Sequence, residues 1–147
     1  MENKNIEEKK KIVLTGGCFD LLHYGHISFL KEAKKLGNYL IVLLESDENV
    51  KILKGEGRPF HTQAQRKEML LSLSFIDEVH ELPPSTTNET YNTLIASIKP
   101  SVIALTEGDP KLELKTKQAE LVGARAVVIP KIHTPSTSQL AKLIGLE

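Results

Sequence analysis

The amino-acid sequence predicts one α/β domain built on a doubly wound, five-stranded parallel sheet. Short runs of consecutive apolar residues alternate with longer segments in which apolar residues recur at helical spacing. Runs that are apolar at every position are typical of strands buried on both faces, as in a parallel sheet covered by helices. The chain has 147 residues, a length that suits a single hydrophobic core.

The individual elements follow from local sequence signals. The first strand contains Ile12, Val13 and Leu14 and ends at a pair of glycines. Glycine or proline follows most of the helical segments, as expected where helices end. We predict strands at residues 11–15, 39–44, 76–79, 102–105 and 126–129, and helices at 26–36, 64–73, 89–98, 111–122 and 136–144. Such a Rossmann-like sheet binds ligands beyond the carboxyl ends of its strands, where the strand order switches direction.

Composition and charge argue against several classes of protein. Lys and Arg total 19 and so do Asp and Glu, so the chain lacks the excess positive charge typical of proteins that bind nucleic acid or anionic membranes. No apolar run approaches the roughly 20 residues that cross a bilayer. Cys18 is the only cysteine, which rules out an internal disulfide. We therefore expect a cytoplasmic protein without nucleic-acid or membrane partners. The Lys- and Glu-rich residues 1–10 are predicted to be a flexible tail, with the domain spanning 11–147.

The segment between the first strand and the first helix carries the strongest chemical signal. His23 and His26 lie beside a predicted helix N-terminus, which attracts anions, and Gly25 allows close approach of a ligand. Two imidazoles at such a site suit charge stabilisation during substitution at a phosphate. Two alternatives remain open here: a zinc pair with Cys18 as a further ligand, or histidines with a structural role only.

The same segment resembles the signature of the cytidylyltransferase-like nucleotidyltransferases. Gly17-Cys18-Phe19-Asp20 followed by His23-Tyr24-Gly25-His26 matches that family's HxGH motif in its strand-to-helix context. Further pieces follow in the family's order across residues 12–145: Ser46-Asp47, Lys54-Gly55-Glu56-Gly57-Arg58-Pro59, Gln65-Arg66, Glu107-Gly108-Asp109 and Ser136-Thr137-Ser138. The resemblance implies an enzyme that joins a nucleoside triphosphate to a phosphorylated small molecule and releases pyrophosphate.

The resemblance also implies roles for individual residues. The catalytic residues would be His23, His26, Lys54 and Arg66. The nucleotide would be bound by His23 and His26 together with Gly17, Cys18, Phe19, Gly25, Gly108, Asp109, Lys131, Ser136, Thr137 and Ser138. The acceptor would be bound by Asp20, Asp47, Lys54 and Arg58. Mg²⁺ would arrive on the triphosphate rather than in a protein metal site, and the family usually forms homodimers.

Outside the resemblance, several of these residues have ordinary interpretations. Lys54 and Arg66 would be surface cations, and Ser136 would cap a helix. The segment 51–59 contains two glycines and few apolar residues, so we expect a mobile loop that closes over the phosphates.

The substrates are indicated less sharply than the reaction. The segments around Lys54 and Gly108 resemble the adenylyltransferase domain that acts on heptose 1-phosphate, which favours ATP over CTP. Archaeal-type FAD synthetase shares similar pieces, and Phe60-His61 resembles glycerol-3-phosphate cytidylyltransferase. Lys131 stands where the family commonly has arginine, and Thr134 where it has glycine. A regulatory module that binds nucleotide without catalysis is the non-enzyme alternative.

Overall fold

A computed structural model describes residues 9–132, 139 and 142–145 of the chain. Its centre is a five-stranded sheet in the order β3-β2-β1-β4-β5, and every pair of neighbouring strands is parallel. The strands are β1 (Ile12–Gly17), β2 (Tyr39–Leu44), β3 (Glu78–Glu81), β4 (Val102–Thr106) and β5 (Arg125–Ile129). The predicted doubly wound parallel sheet is confirmed.

Helices cover both faces of this sheet. They are α1 (Tyr24–Lys34), α2 (Asp47–Lys54), α3 (Gln63–Leu71), α4 (Asn88–Ile98) and α5 (Leu112–Leu121). One core layer includes Leu30 of α1 and Leu70 of α3, and the other includes Ile95 of α4 and Ala119 of α5. Successive strand residues point to opposite faces, so each strand contributes to both layers, which explains why the strands are apolar at consecutive positions.

The strand order determines where a ligand can bind. From β1 the chain proceeds outward through β2 to β3, and then returns to place β4 on the other side of β1. The connections that leave β1 and β4 therefore diverge to opposite faces of the sheet, and a crevice opens between them at the carboxyl ends of the strands. No helix within the described residues is long and apolar enough to cross a membrane.

Several elements, such as α1 and β1, are shifted from their predicted ends by one or two residues, and a helix and a strand differ in other ways. Residues 47–54 form α2, a helix that apolar spacing does not indicate; its N-terminus is capped by the Ser46 hydroxyl, which accepts from the Asn49 amide at 3.1 Å. The predicted loop at 51–59 is therefore helical as far as Lys54. Strand β3 spans Glu78–Glu81 rather than 76–79, because its register aligns Glu78 with Ile41 of β2.

The two ends of the chain are only partly described. Of the predicted tail, Lys9 and Lys10 are described, and the Lys10 ammonium lies 4.2 Å from the centre of the Tyr39 ring. Of the predicted helix at 136–144, residues 139, 142 and 143 are helical. Ser136, Thr137 and Ser138, predicted to bind the nucleotide, lie outside the described residues.

Candidate active site

A cleft of about 1020 Å³ opens at the carboxyl ends of the strands, where the strand order switches. Its walls come from the connections that follow all five strands. Most of the predicted site residues line it: Gly17, Cys18, Phe19, Asp20, His23, Gly25, His26, Lys54, Arg58, Asp109 and Lys131. Asp47, Arg66 and Gly108 are described but are not part of this lining. The fold thus brings together residues that are up to 114 positions apart in the sequence, Gly17 and Lys131 being the extremes.

His23 and His26 are held by the start of α1. His23 is the N-cap of the helix, and its Nδ1 accepts a hydrogen bond from the Gly25 amide at 3.0 Å. His26 Nδ1 accepts in turn from the His23 amide at 3.3 Å, and the two rings stack with centroids 3.9 Å apart. Each Nδ1 accepts from a backbone N–H, so the hydrogen of each neutral ring is on Nε2. Two N–H donors are thereby fixed in the wall of the cleft.

The electrostatic surroundings keep both imidazoles neutral. Burial, with the nearby His23, Lys54 and Arg58, lowers the pKa of His26 from 6.5 to about 4. Burial and the Lys54 ammonium also lower the pKa of His23. A negatively charged ligand would have the opposite effect, because it favours the protonated rings. The pair is thus neutral in the free protein and gains positive charge most readily when an anion is bound.

This arrangement predicts a pH effect on the free protein. We expect His26 to titrate near pH 4, as followed by the NMR shift of its ring protons. The unfolded chain binds that proton at the ordinary pKa of 6.5, so the folded state should lose stability as the pH falls from 6.5 towards 4. Urea unfolding at pH 7 and pH 5 measures the loss, and a His26→Asn variant should lose less stability over this range. Titration of His26 near 6.5 would contradict the proposed environment.

The turn before α1 is tightly packed around Phe19. Phe19 adopts a positive φ of 47°, and its ring meets the His26 ring edge-on at 5.6 Å. A Cβ placed on Gly17 would lie only 2.8 Å from the Phe19 ring, so any larger residue there would force the ring to shift. Burial raises the pKa of the Cys18 thiol, although the Lys54 ammonium has the opposite effect. The raised pKa keeps Cys18 protonated and makes it a poor nucleophile.

Asp20 and Arg58 form a buried ion pair at the base of the cleft. Their side chains are 0% and 1% exposed, and Arg58 Nε donates to Asp20 Oδ2 at 2.8 Å. The backbone amides of Phe60 and His61 donate to the same carboxylate at 2.8 and 3.2 Å. Burial alone would raise the pKa of Asp20, but these hydrogen bonds lower it. In this geometry Asp20 holds the segment after α2 against the turn that carries the histidines.

Arg66 is almost fully buried beneath the cleft rather than in its lining. Its guanidinium donates from Nη1 to the Cys18 carbonyl at 2.8 Å, from Nη2 to Asp47 Oδ1 at 2.7 Å and from Nε to the His61 carbonyl at 3.0 Å. These three bonds hold α3 against the turn that follows β1, against the start of α2 and against the loop between α2 and α3. Direct contact of Arg66 or Asp47 with a substrate stays a prediction of the sequence resemblance.

Lys54 is the last residue of α2, and its side chain is exposed in the wall of the cleft. Gly55 follows with a φ of 100°, a conformation that glycine adopts without strain and that ends the helix. The Lys54 ammonium is close enough to lower the pKa of both histidines. The lysine and the imidazole pair thus line the same cleft.

The side of the cleft next to β4 and β5 holds the remaining predicted residues. Asp109 accepts from the Lys111 amide at 2.8 Å and forms an ion pair with Lys115. Burial opposes ionisation of Asp109, but the hydrogen bonds from Lys115 and Lys111 lower its pKa. The Lys131 amide donates to Glu107 Oε2 at 2.8 Å, which links the ends of the two strands.

Two features of the site are missed by sequence reasoning. The Gln63 amide nitrogen donates to the Leu44 and Leu82 carbonyls at 3.0 and 2.9 Å and so joins the ends of β2 and β3. A glutamine in the first turn of a helix carries no signal for this role. The loop after β3 also lines the cleft, through residues 85–88. Its run of hydroxyl and amide side chains, Ser-Thr-Thr-Asn, was the available signal.

The zinc alternative can be tested on the described residues. Among them, no group of three or more His, Cys, Asp or Glu side chains is arranged to hold a metal ion. Both Nδ1 atoms of the histidine pair are also occupied by backbone amides. The donor set near the histidines fits an anion better than a zinc ion.

Comparison with known proteins agrees with this geometry. Residues 14–140 match the Cytidylyltransferase-like family. The bifunctional protein HldE of Desulfatibacillum aliphaticivorans is 37% identical over 134 residues, which is 89% of this chain and 26% of that protein. HldE of Campylobacter fetus is 46% identical over 94 residues, 64% of this chain and 20% of that protein. The chain therefore spans about a quarter or less of these two relatives.

Two solved structures share the fold of this chain. The lipopolysaccharide core biosynthesis protein of Thermoplasma volcanium superposes with a TM-score of 0.68 at 26% identity, over 86% of this chain and 99% of that one. Pantoate-beta-alanine ligase of Francisella tularensis shares the fold, with a TM-score of 0.63 at 18% identity over 94% of this chain and 67% of that one. Residues 14–140 match this family, and the two histidines of the HxGH motif line the cleft. The chain therefore belongs to the cytidylyltransferase-like family and is a nucleotidyltransferase.

Proposed function

We propose that the protein transfers the nucleoside monophosphate of ATP to a phosphorylated small molecule, with heptose 1-phosphate as the leading acceptor. The observation that carries this proposal is the stacked, neutral pair of His23 and His26 at the start of α1, with Nε2–H donors in the wall of the cleft. Fixed donors of this kind stabilise charge that develops on phosphate oxygens in the transition state. The Lys54 ammonium beside them adds a positive charge.

The reaction would proceed by direct displacement. An oxygen of the acceptor phosphate forms a bond to the α-phosphorus while the bond from that phosphorus to the α–β bridging oxygen breaks, and pyrophosphate leaves. His23 and His26 would bind oxygens of the triphosphate, and Lys54 would neutralise charge shared between the two substrates. A protonated Cys18 thiol supports displacement without a covalent enzyme intermediate.

Mg²⁺ fits this site as a companion of the triphosphate. Magnesium commonly keeps several waters and binds substrate phosphates with few protein ligands, and no three-residue cluster of acidic or histidine ligands is found among the described residues. The bound ion would neutralise phosphate charge and help the pyrophosphate leave. The protein residues would bind and orient the two substrates around it.

The acceptor proposal rests on the side of the cleft next to β2 and β3. The apolar Ile52, Leu53 and Leu82 line this side, but Glu48 and Asn49 of α2 and the loop at residues 85–88 supply it with carboxylate, amide and hydroxyl groups. Such groups suit a polyhydroxylated acceptor better than the flat apolar ring system of FMN. This agrees with the resemblance to the domain that acts on heptose 1-phosphate. Glycerol 3-phosphate, a smaller polyol phosphate, is the second candidate.

A pyrophosphate-release screen tests the proposal. Purified protein with Mg²⁺ is incubated with ATP or CTP and with each of four acceptors: heptose 1-phosphate, glycerol 3-phosphate, FMN and phosphoethanolamine. We expect release with ATP and heptose 1-phosphate that depends on both substrates. Release with CTP and glycerol 3-phosphate would replace the substrate proposal, and release with none of the pairs would favour a module that binds nucleotide without catalysis.

Replacing Lys54 with alanine should lower kcat/KM by about 10- to 100-fold, because a charge that stabilises the reacting phosphates is lost. Steady-state kinetics with the substrate pair found in the screen measures the effect. Lys51→Ala is the matched control, since Lys51 lies on the same helix, is exposed and pairs only with the exposed Glu56 at 3.4 Å among its described contacts. Equal kcat/KM values for the two variants would show that Lys54 has no specific role in the reaction and is an ordinary surface lysine.

A further inference from the structure

Gln118 on α5 is a buried polar side chain with no hydrogen-bond partner in the described part of the chain. Among the described residues, three buried polar side chains line the cleft: Asp20, Arg58 and Gln118. The first two bind each other, whereas Gln118, only 5% exposed, makes no hydrogen bond with the described residues. Its amide nitrogen and oxygen are not among the fully buried unpaired side-chain atoms of the described residues, so they reach the cleft and can bind water or a ligand there. The position of Gln118 in the cleft wall makes a ligand of the cleft the natural partner.

The surroundings of Gln118 indicate which part of the ligand it meets. Leu114 lies one helical turn before Gln118 on the same face of α5, and Ile129 and Pro130 line the cleft at the end of β5. This side of the cleft is separated by β1 from the hydroxyl-rich loop at residues 85–88. Asp109 and Lys115 line this side as well, but an amide beside the apolar side chains suits a flat heteroaromatic ring, whereas a hydroxyl-rich wall suits a sugar.

The neighbouring acidic group is already engaged. Asp109 lines the same side of the cleft, but one of its carboxylate oxygens accepts from the Lys111 amide and the other binds Lys115. Gln118 is thus the buried polar group on this side that still has both a donor and an acceptor to offer.

We propose that Gln118 recognises the nucleobase of the triphosphate and is a specificity-determining residue of the site. Its carbonyl would accept from the exocyclic amine of adenine while its NH₂ group donates to the adjacent ring nitrogen, the bidentate pattern that glutamine amides form with adenine. This inference rests on the proposed function for the presence of ATP in the cleft. It adds the residue that selects the base, which the family motif does not contain.

The test compares ATP with purine riboside triphosphate, which lacks the exocyclic amine. Dissociation constants are measured by calorimetry in the presence of Mg²⁺ for the wild-type protein, Gln118→Leu, Gln118→Glu and Glu120→Gln. The wild-type protein should prefer ATP by about 10- to 100-fold, the range expected for a bidentate amide contact. Gln118→Leu should bind both nucleotides with similar, weaker affinity. Glu120→Gln, an exposed change on the same helix, should retain the wild-type preference.

The outcomes separate this inference from the proposed function. If Gln118→Leu, folded by circular dichroism, keeps the full preference for ATP, Gln118 does not recognise the base. Should Gln118→Leu fail to fold, Gln118→Glu decides: it keeps the acceptor for the exocyclic amine but loses the donor to the ring nitrogen, so it should bind both nucleotides more weakly and still prefer ATP. Wild-type affinity of Gln118→Glu for both nucleotides would overturn the proposal. A preference that depends on Gln118 without any pyrophosphate release would support base recognition and overturn the transferase proposal. Absence of nucleotide binding by the wild-type protein would overturn both.

Discussion

Replacement of His26 by alanine is expected to lower kcat by about 10²- to 10³-fold, roughly 3 to 4 kcal/mol of transition-state stabilisation. The change removes an Nε2–H donor that the His23 amide holds in place through Nδ1 at 3.3 Å. Loss of the same hydrogen bond weakens the cap of α1, at a cost of about 1 kcal/mol to folding. Steady-state kinetics and urea unfolding, run on the same preparation, measure the two effects separately.

Two substitutions at position 26 distinguish the roles of the two ring nitrogens. The Asn in His26→Asn can still accept from the His23 amide, so it should restore the stability of the helix start without restoring turnover. The longer amide in His26→Gln can place a donor near the former Nε2 and should recover part of the activity. A folded His26→Ala variant with near-normal kcat would refute a charge-stabilising role for this residue.

Replacement of Arg66 by alanine is expected to destabilise the protein by about 2–5 kcal/mol, the range for large-to-small changes at buried positions. The partner carboxylate of Asp47 is 43% exposed and stays solvated, so it adds little to this loss. The Arg66 side chain is 0% exposed and its guanidinium serves the Cys18 and His61 carbonyls as well as Asp47. Alanine would leave two carbonyls without a donor and a cavity beneath the cleft. The free energy of unfolding in urea measures the loss.

The neighbouring Lys67 provides the matched control. Its ion pair with Glu81 at 3.6 Å is partly exposed, so Lys67→Ala should cost no more than about 1 kcal/mol. An Arg66→Lys variant keeps the charge but cannot serve three acceptors in a plane, and it should remain strongly destabilised. Near-normal stability of Arg66→Ala together with a raised KM for the triphosphate would instead place Arg66 in contact with phosphate, as the sequence resemblance implies.

Much of the fold follows from local sequence patterns. Buried strands of a parallel sheet must be apolar on both faces, so segments such as Ile41–Leu44 are recognisable without knowledge of their partners. Helix α2 escapes prediction because it is short and buries only Val50, which leaves too little apolar periodicity to detect. Strand β3 begins two residues after its predicted start because pairing with β2 decides the register, whereas apolar content alone points to Ile76.

The candidate site likewise has features that can be inferred from local sequence and features that cannot. The HxGH segment is contiguous, and a helix N-terminus preceded by a buried strand is a local structure, so its anion-binding character can be inferred from residues 12–26 alone. The residues that act through distant partners cannot be inferred in this way. Cys18 and Arg66 are 48 positions apart, and Asp20 and Arg58 are 38 apart.

By itself, the sequence predicts the strand-and-helix alternation and the position of the histidine pair, and its resemblance to a known family implies the class of reaction. Only the tertiary structure decides that Arg66 is buried under the cleft, that Gln63 joins the ends of β2 and β3, and that Gln118 makes no hydrogen bond with the part of the chain that the structure describes. The physical reason is that helical and strand periodicity depends on neighbours a few residues away. Burial of a charge or an amide depends on which remote carbonyls and carboxylates the folded chain brings within hydrogen-bond distance.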